Sequence, residues 1–131
     1  MALLSDMSWF EVQEHLVIDN RIILPIGATE AHGRHLALGT DFFEAEAVAF
    51  GIGKALNIMV APTLNYGQSH SLLGFSGTIA LKPNTLICVI EDMLRSIYYH
   101  GFRRVFLLMD MVVIHAQSKL PFAMLLRIYL S

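Results

Sequence analysis

Apolar residues along this chain fall in short blocks, and polar or glycine- and proline-bearing stretches separate them. Ser8-Trp9-Phe10-Glu11 has the form of a capping box, in which the serine accepts from the helix and the glutamate reaches back. It predicts a short helix through Leu16. Arg21 to Gly27 (RIILPIG) is a compact apolar run that ends in glycine, which suits a buried strand. Pro25 has no N–H to give a ladder and argues for a strand end or an irregularity there. Asp41, with Glu44 three residues on, repeats the capping pattern, and Phe42, Phe43, Ala45, Ala47, Val48 and Ala49 continue a helix toward Leu56. Ile58 to Leu64 reads as a second strand, Asn65 to Gly77 as a turn-rich loop, and Thr78 to Leu81 as a short strand. Pro83 opens a long helix that stops near Gly101, and Arg103 to Leu108 starts a third apolar strand. Strands alternating with helices predict an α/β layered fold with a mainly parallel sheet. From His115 to Ser131 no clean period remains.

Composition narrows the class. The 131 residues make one domain at roughly 100–200 residues per domain. Hydrophobic residues are 55% and charged residues 15%, on the apolar side of the usual ~45–50% and ~25%, with a mean hydropathy of +0.55. That balance excludes disorder, which needs low hydrophobicity and high charge. A membrane span is not expected either. About 18 uninterrupted apolar residues are needed, and Asp110, Lys119, Pro121 and Arg127 break the best candidates. Ser5, Asp6 and Ser8 come too early for a secretory signal. The one cysteine, Cys88, cannot form an internal disulfide, so a reducing, cytoplasmic setting is expected. A net charge of −2 without a basic run argues against nucleic acid.

The candidate chemistry lies after the first strand, in IGATEAHGRHLALGTD (26–41). Residues two apart in an extended segment point the same way, so Glu30 and His32 can converge. Asp41 sits at a helix start, at the end of the layer where α/β sheets form ligand crevices. Carboxylate, imidazole and carboxylate suit zinc, manganese or iron(II). The competing reading is a loop glutamate, a surface histidine and an N-cap aspartate; for Asp41 by itself, the cap is favoured.

These residues carry a resemblance. LPIGATEAHGRHLALGTD resembles the LPxGxxExHGxHLPLGTD signature of the creatininase family of metal-dependent amidohydrolases. The likeness continues through Glu46-Ala47-Val48-Ala49, Ala61-Pro62, Tyr66-Gly67-Gln68-Ser69, Phe75-Ser76-Gly77-Thr78-Ile79 and His100-Gly101-Phe102-Arg103-Arg104-Val105. It implies a three-layer α/β/α architecture with a mainly parallel sheet, of which this chain holds the N-terminal half. It also implies that Glu30, His32 and Asp41 are metal ligands, with Asp41 in the place of a carboxylate bridging two divalent ions (Zn or Mn, with Fe as a further option). The implied reaction is hydrolysis of a non-peptide C–N bond in a small cyclic or linear amide. Ser69 falls in a loop that approaches substrate, against a turn cluster around Gly67, Gly74 and Gly77 as the other reading. The family's usual assembly is a homo-hexamer, which a truncated chain need not form.

The pattern breaks after Leu108. The family's third strand runs into an NGHGGN-like turn whose histidine is a further ligand, but here Met109-Asp110-Met111-Val112-Val113-Ile114 follows. The genetic code relates the two. AAT GGA CAT GGT GGT AAT C encodes Asn-Gly-His-Gly-Gly-Asn, and read one base later it gives Met-Asp-Met-Val-Val-Ile. A one-base frame change is therefore expected after Leu108, dividing the chain into a family part (1–108) and an out-of-frame tail (109–131). The alternative is a divergent strand from Val105 to Ile114 with Asp110 in an apolar run, where an unpaired carboxylate is costly. His115 or Asp110 as a replacement ligand has little support. Two functions follow: a metal-dependent amidohydrolase, or a catalytically inactive remnant that at most binds metal or associates with related subunits. Gly51-Ile52-Gly53-Lys54 lacks the rest of a phosphate loop, and Ser69-His70 lacks an orienting third group for a serine hydrolase. Cys88 reads as a small core residue, and Met7, Met59, Met93 and Met124 as packing residues.

Overall fold

The computed structural model describes residues 1–109 and 112–117. Its elements are α1 (Trp9–Ile18), β1 (Arg21–Ile26), α2 (Thr40–Leu56), β2 (Met59–Val60), α3 (Pro83–Tyr99), β3 (Arg104–Met109) and β4 (Val112–Gln117). One sheet orders the strands β2-β1-β3-β4. β1 pairs parallel with both β2 and β3, and β4 pairs antiparallel with β3, Met109 opposite Val112.

The sheet separates two apolar layers by the alternation of its side chains. Ile22, Leu24 and Ile26, with Val105, Leu107 and Met109, face a core completed by Leu86, Ile87 and Ile90. Met93, Leu94 and Ile97 from α3, and Val12 and Leu16 from α1, extend it. Ile23 and Leu108 face the other way, with Ala49, Ile58 and Val60. Helices thus flank both faces, and the expected three-layer α/β/α arrangement with a mainly parallel sheet is what the chain adopts. α2 approaches closely because Ala45, Ala49 and Gly53 form a stripe of small residues along its buried side. A Cβ on Gly53 would lie 2.7 Å from a Val60 methyl carbon. α2 nevertheless leaves a cavity of about 210 Å³ beside it, lined by Ile23, Ile52, Leu56, Ile58, Phe106 and Leu108. Among the described residues no helix is long and apolar enough to cross a membrane.

Several expectations meet their local physics here. The Ser8–Glu11 capping box forms in both directions at the head of α1. Pro25 lies inside β1, but its carbonyl accepts from Leu64 N at 3.0 Å, so its missing N–H faces the side where the β2 ladder has already lapsed. The strand expected from Ile58 to Leu64 is regular only over Met59–Val60 and continues as a single bridge from Ile26 to Leu64. Thr78 to Leu81 makes isolated bridges to Thr29 and Gly67, not a strand. Asp41 is not the cap of α2: Gly39 holds that position, and Asp41 lies in the first turn. Cys88 is exposed, because the buried stripe of α3 is Leu86, Ile87 and Ile90 and position 88 points away from it. Met59 is fully buried, and Met7 and Met93 pack at the core's edge. β4 covers Val112 to Ile114, which the alternative reading had placed in a divergent strand, and His115 to Gln117, where no clean period was expected. The readings on Asp110, on Met124 and on the rest of the tail at 111 and 118–131 lie outside the described residues.

Candidate metal centre

The site is built where β1 leaves the sheet and α2 begins. Gly27 follows β1, and its backbone presses on the first turn of α2 so closely that a Cβ there would fall 2.4 Å from Phe42 Cα. Only glycine permits that approach, and it brings Asp41 beside the loop that leaves the strand. The loop is tied at several points. Thr29 Oγ1 donates to Asn65 O at 2.8 Å, Ile79 N donates to Thr29 O at 2.9 Å, and Ala31 N donates to Thr78 Oγ1 at 3.2 Å. Glu30 N donates to Leu38 O at 2.9 Å across the loop, and Gly33 (φ 73°) takes the left-handed turn between them.

This scaffold gathers Glu30, His32 and Asp41. One ligand atom from each lies within 4.8 Å of the others. His32 Nε2 is 2.7 Å from Asp41 Oδ1, with side chains 22% and 14% exposed. His32 Nδ1 lies 3.0 Å from the Glu30 carbonyl oxygen and donates to it. That carbonyl, and then the Asp41 carboxylate, raise the imidazole above its ordinary range, against the opposing effect of desolvation. Glu30 accepts a hydrogen bond from the Ser69 hydroxyl. Ser69 is 2% exposed. Its proton thus goes to a carboxylate, not to an imidazole.

The donor set fits a divalent cation. Ligands at about 2.0–2.2 Å from a common zinc-like ion sit roughly 3–4 Å from one another, so the wider pairs would close slightly while His32 Nε2 and Asp41 Oδ1, 2.7 Å apart, would separate. Nδ1 is occupied by a carbonyl, which fixes the tautomer that leaves the Nε2 lone pair for a metal once the ring is neutral. Two carboxylates supply the compensating negative charge. Glu30 and His32 were legible from their spacing, and Asp41 from the resemblance. Thr78 was not legible as a support for this loop, because a Thr hydroxyl 47 residues from its partner leaves no local pattern.

Comparison with known proteins agrees with this geometry. The creatininase family (creatinine amidohydrolase) matches residues 5–110. Creatinine amidohydrolase from Pseudomonas putida is 31% identical over 113 residues, covering 82% of this chain and 44% of the relative. The mycofactocin precursor peptide peptidase of Mycolicibacterium smegmatis is 37% identical over 81 residues, 57% of this chain and 33% of the relative. Among solved structures, a manganese form of creatininase aligns with a TM-score of 0.80 at 26% identity, over 98% of this chain and 50% of its own. A mutant creatininase complexed with creatine aligns at 0.79 over the same shares, also at 26% identity. This chain spans less than half the length of these curated relatives and about half that of the solved creatininases. With its fold, its ligand loop and a match across residues 5–110, the chain belongs to the creatininase family.

Proposed function

We propose that this chain carries the N-terminal part of a divalent-metal-dependent amidohydrolase site, of the kind that hydrolyses a non-peptide C–N bond in a small cyclic or linear amide. The observation that carries the reading is the convergence of Glu30, His32 and Asp41 at the exit of β1. Glu30 and Asp41 would hold the ion by carboxylate oxygens and His32 by Nε2, with Asp41 placed to reach a second ion. When bound, zinc or manganese supplies a Lewis acid that acidifies water and polarises an amide carbonyl. The chain's own part is positional. The Glu30 carbonyl orients the His32 ring, and the tie of Gly27 against Phe42 sets the distance of Asp41.

A second reading has its own support. The described residues supply only these three ligands as a group, and the chain spans half the length of solved creatininases. Three protein ligands are enough to hold an ion, so on this reading the chain is a remnant without turnover that at most binds metal or associates with related subunits. A one-base frame change after Leu108 is the proposed origin of residues 109–131. Cytoplasmic location and a family-type hexamer belong to the complete enzyme on this proposal.

Metal analysis of the purified chain, paired with an amide-hydrolysis assay on creatinine, separates the readings. Bound metal with turnover abolished by Glu30→Gln supports the enzyme. Bound metal without turnover supports the remnant. Failure to bind zinc or manganese overturns the enzyme reading.

A further inference from the structure

We infer that Ser69 is the positioning residue of the metal centre: it holds Glu30 in the orientation that binds the ion. The inference rests on the metal reading above and deepens it. Its basis is the Ser69 hydroxyl, which donates to Glu30 Oε2 from a side chain 2% exposed.

Glu30 needs such a support more than its neighbours. His32 is anchored by its own loop, through Nδ1 on the Glu30 carbonyl, and Asp41 is fixed on the first turn of a 17-residue helix. Glu30 projects from an irregular loop on a side chain with three rotatable bonds. A hydroxyl on one carboxylate oxygen restricts the last of these and sets which lone pairs face His32 and Asp41. A neutral donor does this without taking away the negative charge that a cation needs, which an arginine or lysine in the same place would do.

The backbone that presents Ser69 is itself well tied. Gly67 packs so closely on the exit of β1 that a Cβ there would meet Ala28 Cβ at 3.0 Å and the Gly27 carbonyl oxygen at 3.2 Å. Leu81 N donates to Gly67 O at 2.9 Å, and Leu72 N donates to Ser69 O at 3.0 Å to start the short turn that follows. Ser69 thus ties the carboxylate of Glu30, 39 residues earlier in sequence, to backbone packed on the exit of β1.

The test is manganese binding to the full 131-residue chain, measured by titration calorimetry and by the Mn(II) electron paramagnetic resonance signal, in Ser69→Ala, Glu30→Gln and the double variant. Ser69→Ala should weaken binding by about 10- to 100-fold, the usual effect of losing a partner behind a ligand. Its metal-free melting curve should match the parent's, and in the Glu30→Gln background the same change should have no further effect. A purely structural serine would lower the melting temperature and weaken binding equally in both backgrounds, which overturns the inference. Unchanged affinity in Ser69→Ala also overturns it while leaving the metal reading intact. No binding by the parent chain removes the metal reading and the inference with it. Should Ser69→Ala lose its fold, Ser69→Cys, of similar size with a weaker donor, must bind with intermediate affinity, and parent-like affinity there overturns the positioning role.

Discussion

Replacing Gly27 by alanine should damage stability and metal binding together, because one contact controls both. The added methyl would stand 2.4 Å from Phe42 Cα, 2.5 Å from Phe42 N and 2.7 Å from Phe42 Cβ. Ordinary carbon–carbon contact begins near ~3.5 Å, so the first turn of α2 must retreat by roughly 1 Å or β1 must bend. The obstacle is helix backbone, which cannot rotate away as a side-chain tip would. Overpacking of this kind costs about 1–3 kcal/mol. For a domain of this size that lowers the melting temperature by about 4–12 °C. The same retreat moves Asp41 away from Glu30 and His32, so manganese affinity should fall at least tenfold. Gly51 is the internal control. It lies in the same helix, and a Cβ there meets nothing within 4 Å. Gly51→Ala should therefore stabilise the chain by about 0.5–1 kcal/mol through helix propensity and leave affinity unchanged. Thermal melts by circular dichroism and manganese titrations of both variants decide the matter. A Gly27→Ala protein that melts and binds like its parent would refute the reasoning.

Other expectations concern the pH, the metal, the core and the gene. In the metal-free chain the His32 imidazolium is favoured by folding, so its contribution to stability is complete below the ordinary imidazole value of about 6.5 and fades as pH rises through the higher folded value. Melting of the parent against His32→Gln across that range should show the difference shrinking toward alkaline pH, while metal affinity, which needs the neutral ring, grows. A chelator should lower the melting point of metal-loaded protein, by an amount corresponding to about 2.7 kcal/mol at a hundredfold excess over Kd, and have no effect on Glu30→Gln at the same concentration. Leu107 is fully buried on an interior strand, and Leu107→Ala should cost roughly 2–5 kcal/mol in urea unfolding. The nucleotide sequence after the Leu108 codon should show a family-like continuation in the neighbouring frame; its absence there would remove the proposed frame change.

Local pattern carried the helices and the interior strands further than it carried the site. Ser8 and Glu11 announce α1 because both partners of a cap lie within one turn. RIILPIG announces β1 because a strand covered on both faces needs no alternation. Asp41 shows the limit of that reasoning. Its position invites the role of cap, yet a carboxylate that meets an imidazole at 2.7 Å belongs to a tertiary cluster that propensity cannot see. Thr78 to Leu81 failed as a strand for a related reason: those residues support the ligand loop by single bridges, and single bridges have no sequence period. Cys88 was misplaced by residue type, since small apolar character says nothing about which side of α3 it occupies.

All three prospective ligands come from residues 30–41, a stretch that leaves a strand and ends in the first turn of a helix. An ion there would act as a clasp on a short loop, and closing a loop of this length costs the free chain roughly 2 kcal/mol of conformational entropy. Because the strand and helix already fix both ends, most of that cost is met by the fold before any ion arrives. Cation capture at this point would thus be set by one short stretch of chain, held to distant sequence through Asn65, Ser69, Thr78 and Ile79.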